Sequence, residues 1–375
     1  MPNKLYNFRG WIKVIGRGDD IDYGFPSGSA VVKELELHAS LDNDMSFQVS
    51  IEKALTSMSD TATITLTNHP VLEDLYTRNR GLLNEWQERD LEVSIMLYHL
   101  FPHADQYRDK CNCIFTGNIV DIAVGESKET TDQSLTIKAS AGSNAALRAT
   151  VNKFYTGSFT YRDVMFDLLS LYEPFGFNIP RVDDPDSKLS KFLKRGRRYD
   201  QKVSDALNDI AKDLDMVWGF DSNPWTYKEM SEVGEYPDTP TDTNAIFRNK
   251  NCYFMDKRST IDITGLHADT GTEPPINGVN GLRVSGETSH IGLIGHSKTQ
   301  FTFNTITEPP YNIGMPVYAD DAIAHLVVQE DRAIGRINRI MINNNVTRCE
   351  CSYIDENTGL AILAVDGKNT GALLL

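Results

Sequence analysis

Four of the five cysteines stand as two C-x-C pairs, Cys111-Asn112-Cys113 and Cys349-Glu350-Cys351. Four thiolates are a full ligand set for zinc, yet structural zinc sites use wider C-x2–4-C spacing, whose turn folds both sulfurs round one ion. In an extended strand a C-x-C pair points both sulfurs to one face, and a free cysteine packs as a small apolar side chain. The pairs therefore read as core residues, and no metal or other cofactor is expected. Five cysteines, an odd number in a chain of 375 residues, fit thiols in a reducing compartment better than a disulfide framework. His99 and His103 are four apart, but Pro102 between them blocks the helix that would bring both onto one face.

Other chemistry is absent from the spacing. Asp183-Asp184-Pro185-Asp186 lacks the glycine and terminal glutamate of a calcium loop and reads as a solvated turn. Gly16-Arg17-Gly18-Asp19-Asp20 lacks the third glycine of a dinucleotide loop and reads as a turn. No H-E-x-x-H, G-x-S-x-G or P-loop occurs. No catalytic residue is assigned, and the chain is not read as an enzyme.

One cluster runs against the overall charge. Lysine plus arginine number 37 against 52 aspartates and glutamates, a net charge of −15, which argues against a protein whose main task is gripping phosphates. Within that acidic chain stand Lys188, Lys191, Lys194, Arg195, Arg197 and Arg198, interrupted by Phe192, Leu193 and Tyr199. The cluster reads either as a solvated loop or as a contact with an acidic surface, a protein partner or passing DNA. On the second reading Lys191, Lys194, Arg195, Arg197 and Arg198 are the partner-contact residues.

The elements that must position these groups change character along the chain. Phe47, Val49 and Ile51 alternate with polar residues, as do Ala62, Ile64 and Leu66 with four threonines, then Leu91 to Leu97 and Leu135 to Ala139. This is the half-buried antiparallel strand pattern. Between the second and third of these, Val71 to Glu88 is expected to be a short helix and loop. After Val151 the period lengthens. Thr160, with Asp163 three residues on, predicts a capped helix carrying Tyr161, Val164, Met165, Leu168 and Leu171, and a second helix starts at Ser204. Met216 to Phe220 reads as a strand beside it. Asp221 to Asp242 holds six acids, one lysine and three prolines, the composition of a surface loop. Strands then return at Cys252 to Met255, Leu282 to Ser285, Phe301 to Ile306, Ile334 to Ile342, Val346 to Tyr353 and Leu360 to Val365. No signal peptide and no run of 18 apolar residues is present, so assembly in a cytoplasm without a membrane span is expected.

Two pairs of marks recur in the same order. Thr65-Leu66-Thr67-Asn68-His69-Pro70 and Thr305-Ile306-Thr307-Glu308-Pro309-Pro310 both read T-x-T-x-x-P. Downstream, Gly117-Asn118-Ile119-Val120-Asp121-Ile122 and Gly335-Arg336-Ile337-Asn338-Arg339-Ile340 both read G-x-I-x-x-I. Matches this short also arise by chance. Read as a repeat, they describe two copies of one β-barrel, the first with about 22 extra residues.

The order of the elements carries a resemblance. Ala62-x-Ile64-x-Leu66-x-Asn68, a helix, Leu91-x-Val93-x-Ile95 and Phe115-x-Gly117-x-Ile119 resemble the tail-hub proteins of contractile bacteriophage baseplates, which are related to the hub part of type VI secretion spike proteins. The helix at Ser204 with Leu207 and Ile210-Ala211 is similar to a further stretch of that family. So is Ile291-Gly292-Leu293-Ile294-Gly295-His296 followed by Pro309-Pro310, Ile313-Gly314 and Val317. The resemblance implies an α+β, mainly β fold. Residues 1–148 and 251–375 would be tube-like β-barrels, the latter with the option of contributing strands to an α/β insert at 149–221, with 222–250 an acidic linker or loop.

It further implies a homotrimeric structural hub in the virion tail baseplate, assembled in the host cytoplasm. This ring would adapt a sixfold tail tube to a threefold central spike, touch baseplate wedge proteins, and enclose a lumen through which DNA passes without specific binding. The chain ends at Leu375 without a spike segment, so the spike is expected to be a separate polypeptide. Two other functions compete with the hub: a tail-associated cell-wall hydrolase, and a receptor- or carbohydrate-binding tail-tip protein. The first lacks a catalytic motif. The second should cluster exposed aromatics, whereas Trp11, Trp86, Trp218 and Trp225 are scattered.

Metal analysis of the purified protein should find no stoichiometric zinc. One zinc per chain, lost when Cys111 and Cys349 become serine together, would overturn the assignment of the thiols to the core.

Overall fold

The computed structural model describes residues 7–17, 31–40, 46–55, 59–67, 92–100, 112–126, 133–177, 181–184, 186–222, 251–260, 272–276, 279–284, 295–297, 299–306, 313–319, 333–343, 346–355 and 358–362. The helix expected at Val71 to Glu88 and the acidic segment at 223–250 lie outside them. The chain divides into two compact units, residues 1–255 with 342–345, and residues 256–341 with 346–375.

In the first unit β1 (Asn7–Arg17), β2 (Val31–Ser40), β3 (Ser46–Ala54), β4 (Thr61–Thr67), β5 (Glu92–Leu100), β6 (Asn112–Glu126) and β7 (Gln133–Ser140) lie in the order β3-β4-β7-β6-β5-β1-β2. Every neighbouring pair is antiparallel. The alternation in the sequence becomes rows across the sheet. Val49, Ile64, Ile137 and Ile122 stand abreast on four strands, all buried, while Thr61, Thr63, Thr65 and Thr67 take the other face of β4. Each fully buried isoleucine of such a row contributes about 1.5–3 kcal/mol.

The same unit continues through α1 (Ser143–Arg148), β8 (Thr150–Tyr155), α2 (Tyr161–Ser170), β9 (Arg181–Asp183), β10 (Arg197–Lys202), α3 (Val203–Leu214), β11 (Met216–Asp221) and β12 (Asn251–Asp256). Thr160 and Asp163 close a full capping box. The Thr160 hydroxyl accepts the Asp163 N–H at 3.2 Å, and the Asp163 carboxylate accepts the Thr160 N–H at 2.9 Å. α3 begins one residue before the expected Ser204, whose buried hydroxyl instead donates to the Ala146 carbonyl. Both helices bury their apolar faces in one core with Tyr172, Phe177, Trp218 and Phe220. β12 adds Cys252 and Phe254 to that core and pairs with β9 in parallel. The turn into α1 passes so close to Phe220 that a Cβ on Gly142 would lie 2.3 Å from the ring, and its φ of 63° also favours glycine.

The second unit holds β13 (Thr272–Ile276), β14 (Val279–Val284), β15 (Gly295–His296), β16 (Gln300–Ile306), β17 (Pro316–Ala319), β18 (Ala333–Asn343) and β19 (Val346–Tyr353), in the order β13-β14-β17-β18-β19-β16-β15. Of the expected last strand, the described part holds only a bridge between Ile354 and Ala361.

Five consecutive strands of each unit share one layout. β3 to β7 lie as β3-β4-β7-β6-β5, and β15 to β19 as β15-β16-β19-β18-β17. The registers agree as well. Thr65 of one T-x-T faces Thr136, and Thr305 of the other faces Thr347. Gly117 faces Val93, and Gly335 faces Val317. The prolines of both T-x-T-x-x-P marks lie outside the described residues. At the flank the copies differ: β1 is antiparallel to β5, whereas β14 is parallel to β17. Among the described residues no pairing closes either sheet into the barrel that the sequence reading expects.

The G-x-I-x-x-I mark has a physical reason. Isoleucines three apart on a regular strand would face opposite ways. In β6 an extra residue, Val120, shifts the register, so Ile119 faces Ala139 and Ile122 faces Ile137, both on the inward phase of β7. In β18 the buried phase moves in the same place, with Ile337, Ile340 and Ile342 buried and Asn338, Arg339 and Met341 partly exposed. Each glycine lies beneath an aromatic ring. An added Cβ would sit 2.8 Å from Phe115 at Gly117 and 2.3 Å from Phe301 at Gly335.

Gly335→Ala should therefore cost about 1–3 kcal/mol through overpacking against Phe301. A urea midpoint matching that of the parent would show that the ring is free to move aside.

Candidate functional site

The basic segment is held from beneath by its own apolar residues. Asp184, in the expected solvated turn, accepts the backbone N–H groups of Lys188 at 2.7 Å and Leu189 at 2.8 Å, and so shapes a single 3-10 turn. Leu189 and Leu193 are buried in the core of the helices. The chain between them runs along the segment before α2: Tyr161 N–H donates to the Lys191 carbonyl, Leu193 N–H donates to the Phe159 carbonyl, and Phe192 bridges to Thr160. With the leucines pinned inward, Lys191, Phe192, Lys194 and Arg195 are left exposed.

The five candidate contact residues separate into two kinds. Arg197 is an internal tie between β10 and α3. Its guanidinium pairs with Asp213, reaches the Tyr199 hydroxyl at 3.5 Å and lies 5.8 Å from the centre of the Tyr161 ring. Burial alone would lower its pKa, but the hydrogen bonds to Tyr199 and Asp213 outweigh it and raise the value. Arg198 is exposed and approaches Asn152 across the sheet at 3.4 Å. Lys191, Lys194 and Arg195 form no ion pair with any described residue.

Two aromatic residues join this surface that the sequence reading did not connect to it. Phe154 on β8 is 60 % exposed, and its ring crosses Gly196 so closely that a Cβ there would be 2.7 Å from it. Phe159 is 39 % exposed and Phe192 64 %. The one signal in the sequence is Phe154 itself, which shares its strand phase with the polar Asn152 while Val151 and Tyr155 are buried.

The remaining groups are structural. Cys349 and Cys351 are buried side by side in phase on β19, opposite Phe303 and Phe301, and burial raises both thiols well above their usual range. Cys111 and His103 lie outside the described residues, and the side chains of Cys113 and His99 are not described. Among the described residues no group of three or more His, Cys, Asp or Glu could hold a metal ion. Asp167 accepts two hydrogen bonds from Lys153 at 2.7 Å each and one from the Tyr155 hydroxyl. Its burial would raise its pKa, but these bonds prevail and hold it below the ordinary carboxylate range.

No family model matches the chain, and no curated protein matches it. Among solved structures, the 43 kDa tail protein of prophage MuSo2 from Shewanella oneidensis is similar at 9 % identity over 94 % of this chain and 100 % of its own, with a TM-score of 0.48. A tail protein from Neisseria meningitidis is similar at 11 % identity over 92 % and 96 %, with a TM-score of 0.45. A Francisella PdpA–VgrG complex is similar at 7 % identity over 97 % of this chain and 60 % of that one, with a TM-score of 0.50, which is a likeness of fold.

Because the Asp167 pKa is depressed in the folded state, its contribution to stability is present above the ordinary carboxylate pKa and lost as pH falls through the folded value. The urea midpoint of Asp167→Asn should fall less steeply than that of the parent between about pH 5 and about pH 2. Equal slopes would show that Asp167 is not coupled to folding.

Proposed function

We propose that this chain is a structural hub of a phage tail baseplate, a homotrimeric ring that joins a sixfold tail tube to a threefold spike. One observation carries the reading: the same five-strand order, with matching Thr–Thr and Gly–Val registers, occurs twice in one polypeptide. A threefold assembly of a chain with two alike sheets offers six alike positions on one side and three on the other. Each sheet would complete a tube-like barrel, giving barrels within about residues 1–148 and after about residue 250, as in the family the sequence resembles. The fold shared with the PdpA–VgrG complex supports the same architecture.

On this reading the partners are the tail tube protein, the central spike protein and wedge proteins, and binding is carried by broad surfaces rather than a catalytic pocket. DNA passes through a lumen with few exposed lysines or arginines, since fixed cations would hold phosphates and slow ejection. The protein resides in the virion tail baseplate and lacks hydrolytic activity on purified cell wall.

Mass in solution is the test. Sedimentation of the purified protein should give a particle of three 42.0 kDa chains. A monomer at all concentrations, or turnover of peptidoglycan, would overturn the hub.

A further inference from the structure

We infer that Lys191, Phe192, Lys194 and Arg195, with Phe154 and Phe159, form a docking platform for an acidic protein segment that carries apolar side chains. The platform is built by three stretches of one unit. β8 supplies Phe154, the turn before α2 supplies Phe159, and the segment between the buried Leu189 and β10 supplies the cations and Phe192. Backbone hydrogen bonds from Leu193 to Phe159 and from Tyr161 to Lys191 join the second stretch to the third, and the Phe154 ring lying across Gly196 joins the first to it.

Two independent features select the occupant. Three cations stand within five residues, and no described carboxylate pairs with any of them, although the chain carries 52 acidic residues. An acidic segment supplies the missing charges. Beside them three phenyl rings keep between 39 and 64 % of their surface exposed. Covering them needs apolar surface from the partner, and phenylalanine and arginine are among the side chains enriched at protein interfaces.

Duplex DNA meets the first need and fails the second. Its stacked, paired bases offer no surface to cover a phenyl ring. A membrane would take projecting side chains as wedges, whereas the Phe154 ring is held against Gly196. Arg197 is excluded from the platform because Asp213 already holds it.

The inference does not rest on the hub reading, and its test is separate from the trimer measurement. The full-length protein is titrated with a fluorescein-labelled dodecapeptide of glutamate and tryptophan in a serine and glycine background, with the same peptide bearing glutamine for glutamate, with labelled oligo-dT, and with phosphatidylcholine vesicles containing phosphatidylserine. The acidic peptide should bind saturably and more tightly than its glutamine counterpart. The variant with Lys191→Ser, Lys194→Ser and Arg195→Ser should bind it about tenfold more weakly at low salt, and the difference should shrink as salt rises. Phe192→Ser should weaken binding several-fold at every salt concentration, because it removes apolar contact and no charge. All four residues are exposed, so both variants should unfold at the parent urea midpoint. Several results would each overturn the proposal: absence of saturable peptide binding, equal binding of the glutamine peptide, variants that bind like the parent, or tighter binding of oligo-dT or vesicles.

Discussion

A β-strand turns successive side chains to opposite faces, so a strand that must set isoleucines three residues apart on one face has to break its own period. Both sheets of this protein meet that constraint in the same place. The extra residue Val120 brings Ile119 and Ile122 onto one face of β6, and the buried phase of β18 changes between Ile337 and Ile340. A bulge also sharpens the local twist of the strand. The neighbouring strands are ordered around this point. β7 and β19 pair along the strand that carries the irregularity, and an aromatic ring lies over the glycine before it in each copy.

The residue between the glycine and the isoleucine shows how the two copies have diverged while keeping one task. In the first it is Asn118, buried, whose side-chain oxygen accepts the Asn144 N–H of α1 at 3.3 Å. In the second it is Arg336, 1 % exposed, which donates to the carbonyls of Lys257 and Ser259 and to Asn338. One copy offers an acceptor to an N–H and the other a donor to carbonyls. Both tie down chain beside the sheet. The guanidinium is the costlier choice, and burial pushes its pKa down to about 10 despite the opposing field of Asp256. Its hydrogen bonds to carbonyls and to Asn338 replace the lost water.

Within the first unit the helices stand on an aromatic core rather than on the sheet alone. Tyr172, Trp218 and Phe220 meet at centroid distances of 5.1 to 6.4 Å, and Phe220 also closes over Gly142 at the turn into α1. That core has a second consequence. By pinning Leu189 and Leu193 it fixes which residues of the basic segment stay inside and which face out. Charge alone does not distinguish Lys194 from Arg197.

Local physics was legible in the sequence. The alternation of Ala62, Ile64 and Leu66 set the faces of β4, the capping box of Thr160 and Asp163 set the start of α2, and the order of the T-x-T and G-x-I marks anticipated two sheets of one layout. Each of these follows from neighbours within a few residues, where backbone geometry leaves little choice. What only the tertiary structure decided depends on residues far apart along the chain. Phe154 joins Gly196, Arg197 is taken by Asp213, and Cys252 and Phe254 return across the acidic segment to the helices rather than joining the strands that follow them. Side-chain period records which way a residue points on its own element. It holds no information on what the chain brings to meet it.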